Sequence, residues 1–328
     1  MSDSSPLPAP QWLAPGKKVL ALSGGVGGAK LALGLSRLLA PDQLSIVCNT
    51  GDDFDHLGLR ICPDLDTVMY TLAGRNNVEQ GWGLAGETWR VLDALGQLGG
   101  DTWFRLGDVD IGTHLARSEW LRRGESLSAV TRRLSLALGV SHPLLPMSDD
   151  PVSTIVHSDQ GALSFQHYFV REQCRPAVRG FEFNGIGQAR PQAEFLSLLQ
   201  GGDLAAIVIC PSNPFVSVDP ILNVPGVRAA LRAARAPVIA VSPIVGGIAI
   251  KGPTAKMMAE LNMPSSAAAV AAHYGDLLDG FIVDETDAGE AERIAASGVS
   301  VRVAQTVMKS LDDRIMLAAE ALRFAAAF

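Results

Sequence analysis

The chain has 328 residues, of which 48% are hydrophobic and 19% charged, a composition typical of a globular enzyme rather than a disordered or fibrous protein. Its formal net charge of −7 argues against general nucleic-acid binding, which requires a basic surface. An anionic substrate must therefore be held locally, by backbone amides, a few arginines or a metal. The four cysteines form no CxxC pair, so we expect no zinc or iron–sulfur site.

The first 16 residues are rich in Ser and Pro and lack an apolar signal region, so we predict a short flexible leader there. No apolar run reaches the roughly 18 residues that a membrane-crossing helix needs. We expect a cytoplasmic protein with reduced thiols and no membrane partner. Residues 17–328 are predicted to form a single domain.

The chain opens with a βαβ pattern. A buried strand is predicted over 17–23, a helix over 28–40 and a second strand over 44–49, which implies parallel strands joined by a right-handed crossover. Further helices are predicted over 65–73, 85–98, 111–122 and 126–138. Their N-cap signals are Asp64, Asp110 and Ser126.

The pattern changes after this helical stretch. Two strands, 152–157 and 162–170, are predicted to form a hairpin, and segment 110–190 is a candidate inserted subdomain or lid. The alternation of strands and helices then resumes from 205 to the final helix. The predicted fold class is α/β, a Rossmann-like parallel sheet with helices on both faces and a smaller inserted helical and hairpin subdomain.

A glycine-rich turn directly follows the first strand. It contains Gly24, Gly25, Gly27 and Gly28 and is followed by Lys30. Glycines let the backbone approach a ligand closely, and amides at a helix start favour phosphate. Lys30 resembles a P-loop lysine, although Leu31 follows it and the full P-loop spacing is absent. The alternative interpretation is a tight strand-to-helix turn without a ligand.

Acidic residues follow the second strand. Asp52 and Asp53 come at its carboxyl end, where open α/β sheets bind ligands, and Asp64 and Asp66 lie a little further along. Carboxylates at such a position suit Mg²⁺, which prefers oxygen ligands and usually retains waters and substrate phosphates. Alternatively, Asp64 caps the following helix and the other aspartates belong to a turn.

Other polar loops supply further candidates. Arg105 could bind a phosphate or carboxylate, and His114 could be a base, although a lone histidine is more often a packed or surface residue. The stiff loop Ser212-Asn213-Pro214 follows an apolar strand and could hold a base or a ribose. No Ser–His–Asp or Cys–His nucleophile pattern is present, so we predict catalysis by positioning and electrostatics, as phosphoryl-type transfer requires.

Taken together, the loops resemble the 2-phospho-L-lactate transferase family of coenzyme F420 biosynthesis. The matching stretches occur in order and cover nearly the whole chain. They read LSGGVGGAKLALGL, NTGDDFDHLGLRICPDLDTVMYTLAG, GWGLAGETW, WFRLGDVDIGTHL, LPMSDDPVSTIV, LSFQHYFV, ICPSNPFVSVDPIL and SPIVGGIAIKGPTAKMM.

This resemblance implies a reaction in which the ribityl hydroxyl of the deazaflavin Fo attacks a guanosine diphosphate ester of a three-carbon acid. GMP leaves and a phosphodiester forms. The acid could be phospholactate, phosphoenolpyruvate or 3-phosphoglycerate, and the motifs do not select one. The resemblance also implies a homodimer.

The resemblance further implies residue roles. Asp53, with Asp64 or Asp66, would bind Mg²⁺ and orient the hydroxyl, and Asp52 is a weaker candidate for the same role. The turn 24–28 and the loop 212–214 would hold the guanosine diphosphate. The residues expected near the acceptor or the transferred group are Arg105, Asp108 and His114.

Two residues depart from the family pattern. Cys62 stands where Ser is expected, and His167 stands where an acidic residue is common. One alternative function is a non-catalytic regulator of the same fold that binds a nucleotide sugar. A nicotinamide oxidoreductase is disfavoured because the turn reads GGVGGA rather than GxGxxG and no acidic residue ends the second strand.

Overall fold

The computed structural model describes residues 13–250 and 252–328. The leader expected over 1–16 lies outside these ranges except for its last four residues. The strands are β1 (Lys18–Ser23), β2 (Leu44–Cys48), β3 (Phe54–His56), β4 (Leu59–Ile61), β5 (Leu144–Pro146), β6 (Ser153–Ser158), β7 (Gly161–Ser164), β8 (Val178–Asn184), β9 (Leu204–Ile209), β10 (Val238–Val241), β11 (Ile244–Val245), β12 (Ile248–Ala249), β13 (Gly280–Asp284) and β14 (Ser300–Ala304).

Helices connect most of these strands. The α-helices are α1 (Gly25–Leu38), α2 (Pro63–Leu72), α3 (Arg90–Gln97), α4 (Asp108–Arg122), α5 (Leu127–Ala137), α6 (Ala193–Gln200), α7 (Asp219–Asn223), α8 (Val227–Ala233), α9 (Thr254–Glu260), α10 (Ala267–Tyr274), α11 (Ala291–Ala295) and α12 (Leu311–Ala325). Two π-helical turns occur at His167–Arg171 and Pro214–Val218. No helix in the described ranges is long and apolar enough to span a membrane.

The central sheet contains seven parallel strands in the order β14-β13-β10-β9-β1-β2-β5. The chain runs outward from β1 to β2 and β5, then returns to β9 on the other side of β1. The strand order therefore reverses between β1 and β9. Ligands of open α/β sheets bind at such a reversal, outside the carboxyl ends of the strands.

Hydrophobic clusters cover both faces of the sheet, as the sequence predicts. Side chains alternate across a strand, so Val19 and Ala21 of β1 pack with α1, α2 and α12 on one face. Leu20 and Leu22 pack with α6, α8 and α10 on the other face. All four side chains are fully buried. Because both faces are covered, β1 reads as a continuous apolar strand, as is usual for parallel sheets.

The predicted hairpin is confirmed as β6 and β7, and it belongs to a three-stranded antiparallel sheet of order β7-β6-β8. The sequence analysis did not predict β8. The second hairpin strand ends at Ser164 and not at residue 170, because the chain there turns into the π-helical segment. Val156 of β6 and Val178 of β8 belong to the same hydrophobic cluster as Leu20, so this sheet packs on the central one. That segment 110–190 acts as a lid stays a prediction.

Several element boundaries differ from the predictions. Helix α1 begins at Gly25 rather than residue 28, so the glycine turn is itself the first helical turn. Helix α3 covers only Arg90–Gln97, and residues before it form a loop closed by a bridge between Asn76 and Leu84.

The N-cap prediction is confirmed for Ser126, whose hydroxyl accepts a hydrogen bond from the Ala129 amide. It is wrong for Asp64 and Asp110, which lie inside the first turns of α2 and α4. Pro63 can occupy a first helical position at no hydrogen-bonding cost, so α2 starts before Asp64. Carboxylates in a first turn still interact favourably with the helix dipole.

Candidate active site

A cavity of about 630 Å³ opens at the carboxyl edge of the central sheet, where the strand order reverses. The loops that follow successive parallel strands converge on it. The contributing residues include Gly24 after β1, Asp52 after β2, Ser212 after β9, Ser242 after β10 and Thr306 after β14. The cavity thus occupies the place where the topology predicts a ligand.

The glycine turn packs directly against the loop after β9. The Ser212 hydroxyl donates to the Gly24 carbonyl at 2.8 Å and lies 3.2 Å from the Gly24 amide nitrogen. A Cβ atom at Gly27 would lie 2.3 Å from the Pro211 carbonyl oxygen, and one at Gly28 would lie 2.4 Å from the Ser23 hydroxyl. Gly25 has a φ of +63°, which favours glycine. The glycines therefore allow β1 and β9 to share one narrow crevice.

The N-terminal turn of α1 faces this crevice and carries no acidic residue. The Gly25 amide hydrogen-bonds Asp64, but the other amides of this turn have no partner within their own helix, and with the helix dipole they favour an anion. Lys30 also lines the cavity, and its ammonium group donates to the Met308 carbonyl at 3.0 Å. This corner of the cavity is consequently suited to phosphate.

Asp52 and Asp64 form a buried carboxylate pair on the cavity wall. The Asn49 side-chain amide donates to Asp64 at 2.9 Å and to Asp52 at 3.3 Å, and Gln166 donates to Asp52 at 3.3 Å. Each aspartate is 6% exposed. Two carboxylates held by one amide nitrogen repel each other when both are ionised, and a cation between them would relieve that repulsion.

The pKa values of this pair reflect burial. Desolvation, followed by the charge of Asp64, raises the pKa of Asp52 well above its usual range. Burial also raises the pKa of Asp64 to about 6, partly opposed by hydrogen bonds from Asn49 and the Gly25 amide. Both shifts indicate that the surrounding protein groups do not fully compensate the negative charges of the ionised pair.

Asp53 points away from this pair. It is buried, does not line the cavity, and lies 3.8 Å from an Arg60 guanidinium nitrogen. Neither carboxylate oxygen accepts an N–H or O–H hydrogen bond from the described residues, although the Cys62 thiol lies beside it. Burial raises the pKa of Asp53 to about 7, and Arg60 partly opposes that rise.

Asp66 and His114 belong to a buried network between α2 and α4. Arg117, which is 1% exposed, binds both oxygens of Asp66 through its guanidinium group. The His114 ring lies 3.1 Å from Arg117 and 3.3 Å from Asp110, whose carboxylate also accepts a 2.6 Å bond from Tyr70. Removing one member of a buried ion pair typically costs about 3–5 kcal/mol. This network fixes α2, and with it Asp64, on α4.

Aromatic side chains form another part of the cavity wall. Phe165 and Phe169 stack with ring centroids 5.5 Å apart and an interplanar angle of 6°, and Trp103 and Phe104 lie nearby on the wall. Arg105 lines the rim, where its guanidinium stacks 4.3 Å above the Trp89 ring. The sequence analysis assigned no role to these aromatics. Their dense spacing in the stretches TWFR and FQHYF was the available signal.

The structure thus brings together many of the residues selected from the sequence. Those that line the cavity are Gly24, Gly25, Gly27, Lys30, Asp52, Asp64, Arg105, Ser212 and Asn213. Those that lie behind its wall or away from it are Gly28, Asp53, Asp66, His114 and Pro214. The buried amides of Asn49 and Gln166, which position the carboxylate pair, were not selected.

The carboxylates of the cavity fit the coordination preferences of Mg²⁺. Within the described ranges no group of three or more His, Cys, Asp or Glu side chains is arranged to hold a metal ion. Mg²⁺ commonly uses only one or two carboxylates and completes its shell with waters and substrate phosphates. The mutually repelling pair Asp52 and Asp64, beside a phosphate-favouring helix terminus, fits that requirement.

Comparison with known proteins identifies the family. The model for the family described as "2-phospho-L-lactate transferase CofD" matches residues 19–316. The chain belongs to the CofD family. It is therefore an enzyme of the transferase class, built on an α/β fold with a Rossmann-like sheet.

Named relatives support this membership. A phosphoenolpyruvate transferase of Streptomyces griseus is 42% identical over 314 residues, which cover 94% of this chain and 98% of that protein. A 2-phospho-L-lactate transferase of Methanosarcina acetivorans is 37% identical over 300 residues, covering 92% of this chain and 96% of that protein.

A solved structure shares the fold. The UPF0052 family protein BH3568 of Bacillus halodurans superposes with a TM-score of 0.62 and 16% identity, covering 93% of this chain and 98% of that protein. At this level of identity the similarity supports the CofD-type fold alone.

Proposed function

We propose that this CofD-family protein transfers a phosphorylated three-carbon acid from a guanosine diphosphate ester to the terminal ribityl hydroxyl of the deazaflavin Fo. GMP is the leaving group and the product is a phosphodiester, a step of coenzyme F420 biosynthesis. The observation that carries the proposal is the single cavity that joins a phosphate-favouring helix terminus and a carboxylate pair to an aromatic wall.

The donor occupies the crevice between β1 and β9. Amides of the first α1 turn and Lys30 hold its phosphates, and Ser212 and Asn213 contact the nucleoside. Asp52 and Asp64 would hold Mg²⁺, which would supply positive charge to offset that of the phosphates. The preorganised charges are worth more here than in water, because the carboxylates are buried.

The acceptor stacks its planar ring system on the aromatic wall. Its ribityl chain then extends toward Asp52, which Gln166 holds next to Phe165. Asp52 orients the attacking hydroxyl and receives its proton as the oxygen–phosphorus bond forms. Bringing the two substrates together in one cavity removes much of the entropic cost of a bimolecular reaction.

We propose phosphoenolpyruvate as the acid. Both the Streptomyces griseus protein and that of Kitasatospora aureofaciens, each 42% identical to this chain, are named phosphoenolpyruvate transferases, whereas the 2-phospho-L-lactate transferase of Methanosarcina acetivorans is 37% identical. We also propose a homodimer, on the basis of the family resemblance, and a cytoplasmic location. Analytical ultracentrifugation is the test of the dimer.

A product assay tests the proposal. Purified protein is incubated with Fo, Mg²⁺ and each guanylylated acid in turn, while GMP release and the mass of the Fo conjugate are followed. We expect transfer from the phosphoenolpyruvate-derived donor at the highest kcat/KM. No transfer from any donor, combined with tight binding of a UDP-sugar, would instead support the non-catalytic regulator considered from the sequence.

A further inference from the structure

A second, smaller cavity of about 60 Å³ adjoins the main one. The two share Lys30 of α1, Thr67 of α2 and Trp82 of the intervening loop. Three cationic side chains line the small cavity, from Lys30, Lys309 and Arg314, and no acidic side chain is among the described residues that line it. Its volume exceeds the roughly 10–15 Å³ that a single water requires, so it can admit a small anionic group.

The packing of α12 on α1 creates this cluster of charge. A Cβ atom at Gly34 would lie 2.1 Å from the Arg314 carbonyl oxygen, so the two helix backbones touch at this point. Lys30 precedes Gly34 by one helical turn and therefore lies on the same side of α1. Its bond to the Met308 carbonyl ties it to the segment that leads into Lys309.

The charges of Lys309 and Arg314 are only partly compensated by their surroundings. The nearest acidic group on α12, Asp313, accepts hydrogen bonds from the Lys309 and Ser310 amides as part of the helix cap. The buried Nε atom of Arg314 has no hydrogen-bond partner among the described residues. Since no acidic side chain among the described residues lines the small cavity, an anion bound there would offset the charges of Lys309 and Arg314.

The small cavity lies within reach of the reacting phosphate. Asp64, Thr67 and Thr71 follow one another along a single face of α2. Asp64 lines the main cavity, Thr67 lines both and Thr71 lines the small one. One helical turn spans about 5.4 Å. A group a few bonds from the phosphorus held at Asp64 can therefore enter the small cavity.

We propose that the cavity formed with Lys30, Lys309 and Arg314 binds the carboxylate of the three-carbon acid in the donor. This inference rests on the proposed transferase function and deepens it. Phospholactate, phosphoenolpyruvate and 3-phosphoglycerate all carry that carboxylate, so the site selects acids as a class against GDP and against GDP esters that lack a carboxylate. Other contacts determine which of the three acids is preferred.

The test compares two ligands in two variants. The lactyl ester of GDP is the donor with its carboxylate, and the ethyl ester of GDP is the same molecule without it. Wild-type protein should bind the lactyl ester at least about tenfold more tightly than the ethyl ester, as expected for a charge-assisted hydrogen bond. K309M and R314M should each remove most of that preference, while their affinity for the ethyl ester stays at the wild-type value.

R323M is the matched control, because Arg323 is exposed on the same helix and pairs with Glu320 away from both cavities. It should retain the full preference for the lactyl ester.

Lys309 is exposed, so its substitution should not disturb folding, and K309M can still test the site if R314M is poorly folded. Wild-type transfer to Fo with an unchanged ligand preference in both variants would overturn the carboxylate site alone. Absence of transfer from any donor by the wild type would overturn the proposed function and this inference with it.

Discussion

Neighbouring aspartates have different environments in this site. Asp52 contacts Asn49 and Gln166 on the cavity wall, whereas Asp53 is turned toward Arg60 behind it. The sequence placed both at the end of a strand but could not tell which one faces the ligand, since successive residues in a loop point in different directions. Asp66 was equally hard to assign, because its partner Arg117 is 51 positions away.

Substitution of each aspartate by asparagine should distinguish the aspartates that face the cavity from the one behind its wall. We expect D52N and D64N to lower kcat by about 10²–10³-fold, the scale of losing one preorganised electrostatic contact. D53N should cost much less, since burial already raises the pKa of Asp53 to about 7 and the amide is nearly isosteric. Steady-state kinetics at saturating Mg²⁺ measures this, with circular dichroism as the control for folding. Equal losses in D52N and D53N would contradict the assignment of Asp52 to the cavity.

At the scale of elements, the glycine turn and the loop after β9 form one unit. The sequence indicated the turn correctly. The predicted start of α1 was three residues too late, because glycine has a low helix propensity. Tertiary packing overrides that propensity, because only glycine permits the contact between Gly27 and the Pro211 carbonyl. The π-helical turn His167–Arg171 was missed for a related reason, since its aromatic residues also suit a strand.

G27A tests the contact between these elements. The added methyl must displace the Pro211 carbonyl, so we expect GDP affinity to fall by at least about tenfold and the melting temperature to drop by several degrees. G112A is the control, because Gly112 lies in α4 with nothing within 4 Å of its Cβ position. That change should stabilise the protein by about 0.5–1 kcal/mol and leave binding intact. Wild-type GDP affinity in G27A would argue against a donor in this crevice.

At the scale of the whole molecule, the alternation of apolar strands and helices predicted the parallel sheet and both of its covered faces. The reversal of strand order between β1 and β9 was not predictable from the strands alone. Their pairing joins residues nearly two hundred positions apart, as in Val19 with Ala206. The small elements β3, β4 and β8 were missed because short strands carry little periodic signal.

Stability of the whole molecule should depend on pH through the buried carboxylates. The folded-state pKa values of Asp64 and Asp53, about 6 and about 7, exceed the usual value near 3.8, so the folded state binds these protons more tightly than the unfolded state. Without metal, the free energy of unfolding should fall as pH rises from about 4 to about 7, by up to about 1.4 kcal/mol per pH unit per group.

Thermal melting with and without Mg²⁺ and GDP measures this effect. We expect the ligands to raise the melting temperature much more at pH 7.5 than at pH 5, because the metal binds ionised carboxylates. D64N should reduce the decline in stability between pH 4 and 6. A melting temperature that rises steadily over this pH range in the absence of ligands would contradict the raised pKa values.

The contact of α12 with α1 has a consequence for synthesis of the chain. Residues of the cavity come from both ends of the sequence, from Gly24 to Met308, and α12 covers the apolar side of α1 near Gly34. During translation, the N-terminal half emerges long before β9 and α12 are synthesised. The apolar surfaces of β1 and α1 therefore remain exposed until these later elements can pack on them. The nascent chain is therefore exposed to misfolding and aggregation on the ribosome, and chaperones that shield these early elements should increase the yield of active protein.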